Sequence, residues 1–379
     1  LFIWFSMPKL PSLPLNITLH LTENCNLRCK MCYYWGETGA YSSSQKRKPK
    51  FLDFETVKHL IKELAVVKPT YSLFGGEPLL YPYFEELIDE IKKNNSIVDT
   101  PTNGTFLSDK AEMLVKKEFD LVRVSLDGPR DINDKQRGVG SYDKALKGIN
   151  DLFEVKEKNK AKKPLIDIIY TITPNNHLSI EDFFLQDLDI SKLDKITIQM
   201  QNYLTRQMGE DYAEFLNSEF GIQSDTYWKG MVRLPSKFSE IDRTELSKQV
   251  NKVRTYYSSQ NKNVMLLPPI FSSQNLEAYL TSNWDQMTDV YEKCIIPWVS
   301  VDIVANGDVA PCHIFYDLVL GNLYENNIAD IWNGEKYMRF RDYMESKKFM
   351  SICPGCCILY LTGKKFRKQT KSDIQSSID

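Results

Sequence analysis

Short strand-like runs alternate with longer helix-like runs through the first half of this chain, and this order most limits its fold. From about residue 16 to residue 201, β-branched runs predict strands, and segments with apolar residues at helical spacing lie between them. Such alternation is typical of a parallel sheet with crossover helices. The sequence predicts six strand–helix pairs, with strands at 17–21, 71–74, 97–102, 121–126, 166–172 and 196–201.

Six pairs are fewer than the eight that close a full barrel. The predicted fold class is therefore α/β, with a partial (β/α)6 TIM-like barrel. In such folds the ligands bind at the carboxyl ends of the strands. The fifth helix has the least regular apolar pattern, so its position is the least defined.

Five segments follow from the changes in pattern along the chain. Residues 1–14 are an N-terminal extension, and 15–201 form the barrel. Residues 202–290 bridge two modules and shape the substrate pocket, with a helix across 244–257 and a loop-like stretch at 266–269. Residues 291–358 form a turn-rich, cysteine-bearing domain with a hairpin turn at 305–308. Residues 359–379 are a basic polar tail.

Charge and cysteine content restrict the partners and the compartment. The chain has 48 Lys+Arg against 50 Asp+Glu and a net charge of -2, so it lacks the global field of a nucleic-acid binder. The apolar opening at 1–6 is too short to span a bilayer. The 8 cysteines, without a secretory signal, favour metal ligands or reactive thiols over disulfides. The sequence predicts no nucleic-acid partner, no integral membrane segment and a cytoplasmic location.

The first cysteine group is Cys25-x3-Cys29-x2-Cys32, on a loop after the first predicted strand. Three thiolates are too few for a closed structural zinc site, which takes four protein ligands. They suit an iron–sulfur cluster with one iron left open, and an open iron can bind a small ligand through an amine and a carboxylate. This group therefore predicts a reactive metal centre.

Three further motifs follow neighbouring strands of the same predicted sheet. Because the carboxyl ends of parallel strands meet at one rim, we expect these motifs to lie close to the first cysteine group. They are Gly75-Gly76-Glu77-Pro78, Thr102-Asn103-Gly104 and Ser125-Leu126-Asp127-Gly128.

The first cysteine group and the Gly75-Gly76-Glu77-Pro78 motif together resemble the radical S-adenosylmethionine superfamily. The resemblance implies that Cys25, Cys29 and Cys32 are the catalytic ligands of a 4Fe-4S cluster. The fourth iron of that cluster would bind the methionyl part of S-adenosylmethionine. One electron would then cleave the cofactor into methionine and a 5'-deoxyadenosyl radical.

The same resemblance assigns cofactor contacts. Gly75, Gly76, Glu77 and Pro78 would approach the methionyl ammonium, and Thr102 and Asn103 would contact the same ligand. Ser125 and Arg137, similar to the peptide and sulfatase-maturing branch, would hold the methionyl carboxylate, a task that suits a guanidinium fork. Met31 stands where the family often has an aromatic residue and would pack against the adenine, as would backbone near Gln201. The alternative is that Asp127-Gly128-Pro129 is a plain turn and Arg137 a solvated surface residue.

The second cysteine group is Cys294-x17-Cys312-x40-Cys353-x2-Cys356. Four thiolates allow a fully ligated 4Fe-4S cluster or tetrahedral zinc, and the ligand chemistry alone does not separate them. The surrounding residues resemble the C-terminal SPASM or twitch extension of radical enzymes, which implies an auxiliary cluster. With five cysteines in the region, one auxiliary cluster is expected, in an arrangement closer to the shortened twitch type.

Two neighbouring residues have open roles. Cys357 could replace Cys356 as a ligand, donate a hydrogen atom to a substrate radical or pack as a buried thiol, and we favour packing. His313 beside Cys312 is interpreted as structural.

Three functions remain from the sequence. The first is a radical enzyme that oxidises or rearranges a small molecule, favoured by one auxiliary cluster and by the roughly 16 residues before the first strand. The second is maturation of a precursor peptide by epimerisation or crosslink formation. The third is a noncatalytic zinc-binding scaffold. The cofactors of the first two are S-adenosylmethionine and two 4Fe-4S clusters, with a reductant such as flavodoxin or ferredoxin as partner.

Overall fold

A computed structural model of the chain describes residues 11–42, 48–224 and 226–363. Most of the predicted N-terminal extension and of the basic tail lies outside the described residues. Within them, one sheet contains β1 (Asn16–Thr22), β2 (Thr70–Gly75), β3 (Ile97–Thr102), β4 (Leu121–Ser125), β5 (Leu165–Ile172), β6 (Lys195–Met200), β7 (Asn263–Leu267), β8 (Ser300–Ile303), β9 (Asp308–Ala310) and β10 (Gly321–Asn322). All six predicted strands are confirmed, to within one residue at each end.

The strand order in the sheet is β10-β9-β8-β1-β2-β3-β4-β5-β6-β7. Strands β1 to β7 run parallel, β8 runs parallel to β1, and β9 and β10 continue antiparallel. The predicted partial barrel is therefore present and is extended at both edges, by β7 from the bridging segment and by β8 to β10 from the cysteine-bearing domain.

One local prediction was wrong. Residues 266–269 were predicted to be loop-like, but Leu266 and Leu267 form the end of β7, paired with β6. The two prolines at 268 and 269 end the strand, because proline lacks the N–H that a ladder hydrogen bond needs.

The helices lie between and after the strands. They are α1 (Phe54–Glu63), α2 (Phe84–Lys93), α3 (Leu107–Lys116), α4 (Arg130–Arg137), α5 (Ser141–Asn159), α6 (Ile180–Asp182), α7 (Arg206–Phe220), α8 (Pro235–Phe238), α9 (Arg243–Ser259), α10 (Ser273–Leu280), α11 (Ile328–Trp332), α12 (Glu335–Lys347) and α13 (Cys357–Thr362). The crossover after β5 is irregular, since α6 continues as a π-helix at Phe183–Asp187. Helix α9 confirms the predicted helix across 244–257.

Alternating side chains give the sheet two different faces. Alternate residues of β1, namely Ile17, Leu19 and Leu21, are buried in the main hydrophobic core. The other face carries polar side chains that bond across strands. Asp99 on β3 accepts hydrogen bonds from Ser72 at 2.9 Å and from Arg123 at 3.0 Å. We call the space in front of this polar face the lumen.

The C-terminal domain begins at the β1 edge of the sheet. Strands β8 and β9 form the hairpin that the Ala305-Asn306-Gly307-Asp308 turn predicted, and Gly307 has a φ of 84° that suits glycine. None of the helices in the described part of the chain combines the length and apolar character that a bilayer crossing requires.

Candidate active site and auxiliary cysteine site

The first three cysteines lie on a tightly folded loop after β1. Cys32 N–H bonds to Cys29 O at 3.0 Å, and Lys30 N–H bonds to Gln136 O at 2.9 Å. The Cys29 thiol donates to Arg137 O at 3.8 Å, which ties the loop to the end of α4. Burial raises the pKa of Cys25 to about 12 and that of Cys29 to about 11. Without a metal these thiols keep their protons, and a bound metal would displace the protons and stabilise the thiolates.

The Gly75–Gly76 turn packs directly on the chain that leads to Cys25. Gly75 has a φ of 133°, and Gly76 N–H bonds to Thr22 O at 2.7 Å. A Cβ on Gly76 would lie 2.1 Å from Asn24 O. The glycines therefore allow the end of β2 to approach the start of the cysteine loop, in addition to the ligand approach that the sequence suggested.

We expect Gly76→Ala to lower the free energy of unfolding of the metal-free protein by about 3 kcal/mol, because the methyl group overlaps backbone that cannot rotate away. Gly221→Ala is the matched control. Gly221 has a φ of 67° with nothing within 4 Å of an added Cβ, so only backbone strain of about 1 kcal/mol applies. Denaturant unfolding measures both, and equal losses would contradict the packing argument.

Glu77 joins the ends of β2 and β3. Its Oε1 accepts from Thr102 Oγ1 at 2.7 Å, and its Oε2 accepts from Asn103 N–H at 2.8 Å. Burial raises the pKa of Glu77 to about 7, although these hydrogen bonds act in the opposite direction. Asn103 Nδ2 also lies 4.0 Å from Cys25 Sγ. The structure thus brings Glu77, Thr102 and Asn103 together beside the first cysteine.

Arg137 is held inside the site by a buried carboxylate. Its side chain is only 10% exposed, and its Nε lies 2.6 Å from Asp127 Oδ2. Asp127 also accepts from Gln136 Nε2 at 2.8 Å and from Thr171 N–H at 2.8 Å. The alternative interpretation of Arg137 as a solvated surface residue is therefore wrong. Residues 128 and 129 do form a bend, but the Asp127 side chain also holds Arg137. Ser125 is the last residue of β4 and is half-buried.

Three other predicted cofactor residues lie on segments next to the same rim. Pro78 is buried and begins the short 3-10 helix Pro78–Leu80. Met31 is half-buried within the cysteine loop. Gln201 follows β6, where its N–H bonds to Ile172 O at 2.9 Å and its carbonyl accepts from Tyr279 OH at 2.9 Å.

The second set of cysteines borders one cavity. Cys294, Cys312, Cys353 and Cys356 line it together with apolar side chains that include Phe315, Phe340 and Met344. Burial raises the pKa of Cys294 to about 11 and that of Cys312 to about 12. Four thiols around one apolar cavity fit a fully ligated metal group, as the sequence predicted.

Cys357 is not among the residues that line this cavity. Its Sγ accepts from Asn202 Nδ2 at 3.3 Å, and its N–H bonds to Asn202 Oδ1 at 3.0 Å. The hydrogen bond from Cys356 lowers the pKa of the Cys357 thiol. This geometry favours Cys356 over Cys357 as the fourth ligand, and it gives Cys357 polar partners rather than apolar packing alone.

The sequence missed a polar cluster between the two cysteine sites. Asp302 Oδ2 contacts His20 Nε2 at 3.1 Å and His313 Nδ1 at 2.9 Å, and Tyr316 OH lies 2.7 Å from His20 Nε2. His313, which the sequence analysis interpreted as structural, is a member of this cluster. Only the pairing of β8 with β1 brings His20 and Asp302 together, and no local spacing signals it.

Two family models match the chain. Residues 19–184 match the Radical SAM superfamily, and residues 294–357 match SPASM, an iron-sulfur cluster-binding domain. The first matched range contains Cys25, Cys29 and Cys32, and the second contains the other five cysteines.

Known relatives differ in how much of the chain they share. Mycofactocin maturase MftC of Mycobacterium tuberculosis is 35% identical over 142 residues, which is 37% of this chain and 34% of that protein. The chain thus spans about a third of that relative. The tungsten-containing aldehyde ferredoxin oxidoreductase cofactor-modifying protein of Pyrococcus furiosus is 23% identical over 90% of this chain and 86% of that protein.

Among solved structures, Streptococcus suis SuiB bound to the precursor peptide SuiA has a TM-score of 0.60 at 15% identity, covering 92% of this chain and 72% of that chain. A likeness at this identity shows a shared fold. It agrees with the partial barrel and C-terminal domain that the structure contains.

Proposed function

The chain contains a radical SAM domain followed by a SPASM domain, and from this we propose that it is an enzyme that oxidises or rearranges a small molecule by radical chemistry. A radical SAM domain binds S-adenosylmethionine and a 4Fe-4S cluster, and when both are bound they supply a 5'-deoxyadenosyl radical. The observation that carries the proposal is the pair of separate cysteine sets, three thiols at the strand rim and four around a buried cavity.

In this proposal each set of residues has one task. Cys25, Cys29 and Cys32 would hold the first cluster, and three thiolates would leave one of its irons without a protein ligand. The four cysteines that border the buried cavity hold one auxiliary 4Fe-4S cluster, and they are Cys294, Cys312, Cys353 and Cys356. The two tasks differ because a three-thiol site can bind a cofactor at the metal, whereas a four-thiol site cannot do so without losing a ligand.

The residues around the first cysteine set bind and orient the cofactor. Glu77, fixed by Thr102 and Asn103, presents a carboxylate to an ammonium group at the end of β2. Arg137, clamped by Asp127, presents a guanidinium to a carboxylate, assisted by Ser125. Gly75 and Gly76 keep this region narrow, while Met31, Pro78 and the backbone at Gln201 contribute to the walls. Close orientation and exclusion of water are what a reactive carbon radical requires.

The second candidate is maturation of a precursor peptide. It is favoured by the Ser125 to Arg137 stretch and by the relatives, since MftC is a maturase and SuiB has been solved with its precursor peptide. In either case the partners are the substrate and a reductant such as flavodoxin or ferredoxin. Eight cysteines without disulfides agree with a reducing, cytoplasmic compartment.

Anaerobic reconstitution with iron and sulfide tests the proposal. We expect about eight irons per chain, four for each cluster, and 5'-deoxyadenosine after addition of S-adenosylmethionine and dithionite. Zinc without iron, and no nucleoside, would contradict the proposal and support the zinc scaffold. With cleavage established, capture of a modified precursor peptide would favour the second candidate over a small molecule.

A further inference from the structure

Asp302 is a buried carboxylate at the junction between the two cysteine sites. It lies on β8, and its side chain is 1% exposed. Its Oδ2 receives both histidine contacts, from His20 at 3.1 Å and from His313 at 2.9 Å. Its Oδ1 is buried and has no hydrogen-bond partner within the described residues. One oxygen of this buried carboxylate therefore has no hydrogen bond from the described residues to offset the cost of removing it from water.

The two histidines connect Asp302 to both cavities. His313 follows Cys312 and lines the cavity bordered by the four cysteines. His20 lines a second cavity, together with Gly75 and Gly76 of the cofactor turn. The ring of Phe74 packs against each imidazole, with centroids 5.1 Å apart in both pairs. The His20–Asp302–His313 cluster thus connects a residue that lines one cavity with a residue that lines the other.

The orientation of the cluster is fixed by hydrogen bonds. An ionised Asp302 can only accept hydrogen bonds, so we assign the proton of each ring to the nitrogen that contacts Oδ2. Tyr316 OH donates to the carbonyl of His313 and lies against His20 Nε2. With all three side chains held in this way, the charge of Asp302 stays at a fixed place relative to Cys312.

That charge acts strongly because the surroundings are buried. A charge in the protein interior is screened less than one in water. Asp302 is one hydrogen bond from the residue that follows Cys312, because its Oδ2 lies 2.9 Å from His313 Nδ1 and both His313 and Cys312 line the cavity. Reduction adds a negative charge to an iron–sulfur cluster, so a nearby carboxylate opposes it.

We propose that Asp302, oriented by His20 and His313, lowers the reduction potential of the auxiliary cluster and so controls its electron exchange with the lumen. Asp302 is a positioning residue in this inference, because it acts on the cluster through its field and through His313 rather than as a ligand. The inference rests on the proposed function, since it requires a cluster held by the four cysteines of the buried cavity.

The test uses the full chain carrying Cys25→Ala, Cys29→Ala and Cys32→Ala, so that only the auxiliary cluster contributes a signal. Its midpoint potential is measured by redox titration followed by electron paramagnetic resonance. In this background, Asp302→Asn is expected to favour reduction at least tenfold, which is about 59 mV for a one-electron couple.

Three further variants are measured in the same way, one expected to shift the midpoint potential in the opposite direction and two that serve as controls. Asp302→Glu keeps the charge and should stay near the starting potential. His20→Phe removes one proton donor and should lower the potential. Asp167→Asn is the second control, because Asp167 is an equally buried carboxylate that faces the lumen and pairs with Lys195 at 3.4 Å. It lies on β5, far along the sheet from β8, so its removal should leave the midpoint potential unchanged.

The possible outcomes distinguish failure of the Asp302 inference from failure of the proposed function. If the auxiliary cluster loads and Asp302→Asn leaves its midpoint potential unchanged, the inference alone is overturned. If the Asp302→Asn variant does not load a cluster, an unchanged potential in His20→Phe overturns it equally. A starting protein that holds no iron–sulfur cluster contradicts the proposed auxiliary site and the inference with it.

Discussion

We expect Cys29→Ala to abolish formation of 5'-deoxyadenosine from S-adenosylmethionine and to lower the iron content from about eight to about four per chain. The reason is the small number of ligands. Only three cysteines lie on the loop after β1, so removing the middle one leaves two, too few to hold a cluster that already has one iron without a protein ligand. The measurements are nucleoside chromatography with dithionite as reductant, and iron analysis of the reconstituted protein.

The matched control is Cys357→Ala. Cys357 is also a partly buried cysteine, but it bonds to Asn202 and does not line the auxiliary cavity. Cys357→Ala should keep about eight irons per chain and should still form the nucleoside. If only Cys29→Ala loses iron and nucleoside formation, the loss identifies Cys29 as a ligand and is not a general effect of removing a thiol. Nucleoside formed by Cys29→Ala at the starting rate would contradict the assignment of the first site.

The barrel strands were predictable because each is an apolar, β-branched run bounded by helical or turn-forming segments. That pattern is local, and it placed the ends of β1 to β6 within one residue. Strand β7 was not predictable in this way, because its apolar run leads directly into two prolines. Its identity as a strand depends on pairing with β6, which is a contact across the sheet.

In the candidate site, too, local motifs were predictable from the sequence and contacts between distant residues were not. The cysteines and the glycine turn are short motifs, and the chemistry of thiolates and of close backbone approach made them recognisable. The sequence allowed two interpretations of Asp127 and Arg137, a cofactor-binding pair or a surface turn with a solvated arginine. Only their burial, which the sequence does not show, decides between them. Asp302 carried no signal, since its partner His20 lies 282 residues away in sequence and reaches it only through the β8–β1 pairing.

Cys312→Ala should separate cofactor cleavage from product formation. Cys312 is one of four thiols around the buried cavity, and three thiols leave an apolar pocket with an incomplete ligand set. We expect the iron content to fall to about four per chain, while the first cluster stays bound. Because the two cysteine sets do not share ligands, cleavage of S-adenosylmethionine without substrate should change less than about threefold.

Product formation should be lost in the same variant, since the proposed oxidation needs the auxiliary cluster. Iron analysis, nucleoside chromatography and product detection are made on one preparation, with Cys357→Ala as the control, and the melting temperature reports whether the fold is kept. Retention of about eight irons by Cys312→Ala would contradict its role as a ligand. If a folded Cys312→Ala variant lost both cofactor cleavage and product formation, the two sites would not be independent. The buried cavity bordered by the four cysteines would then support the first cluster as well.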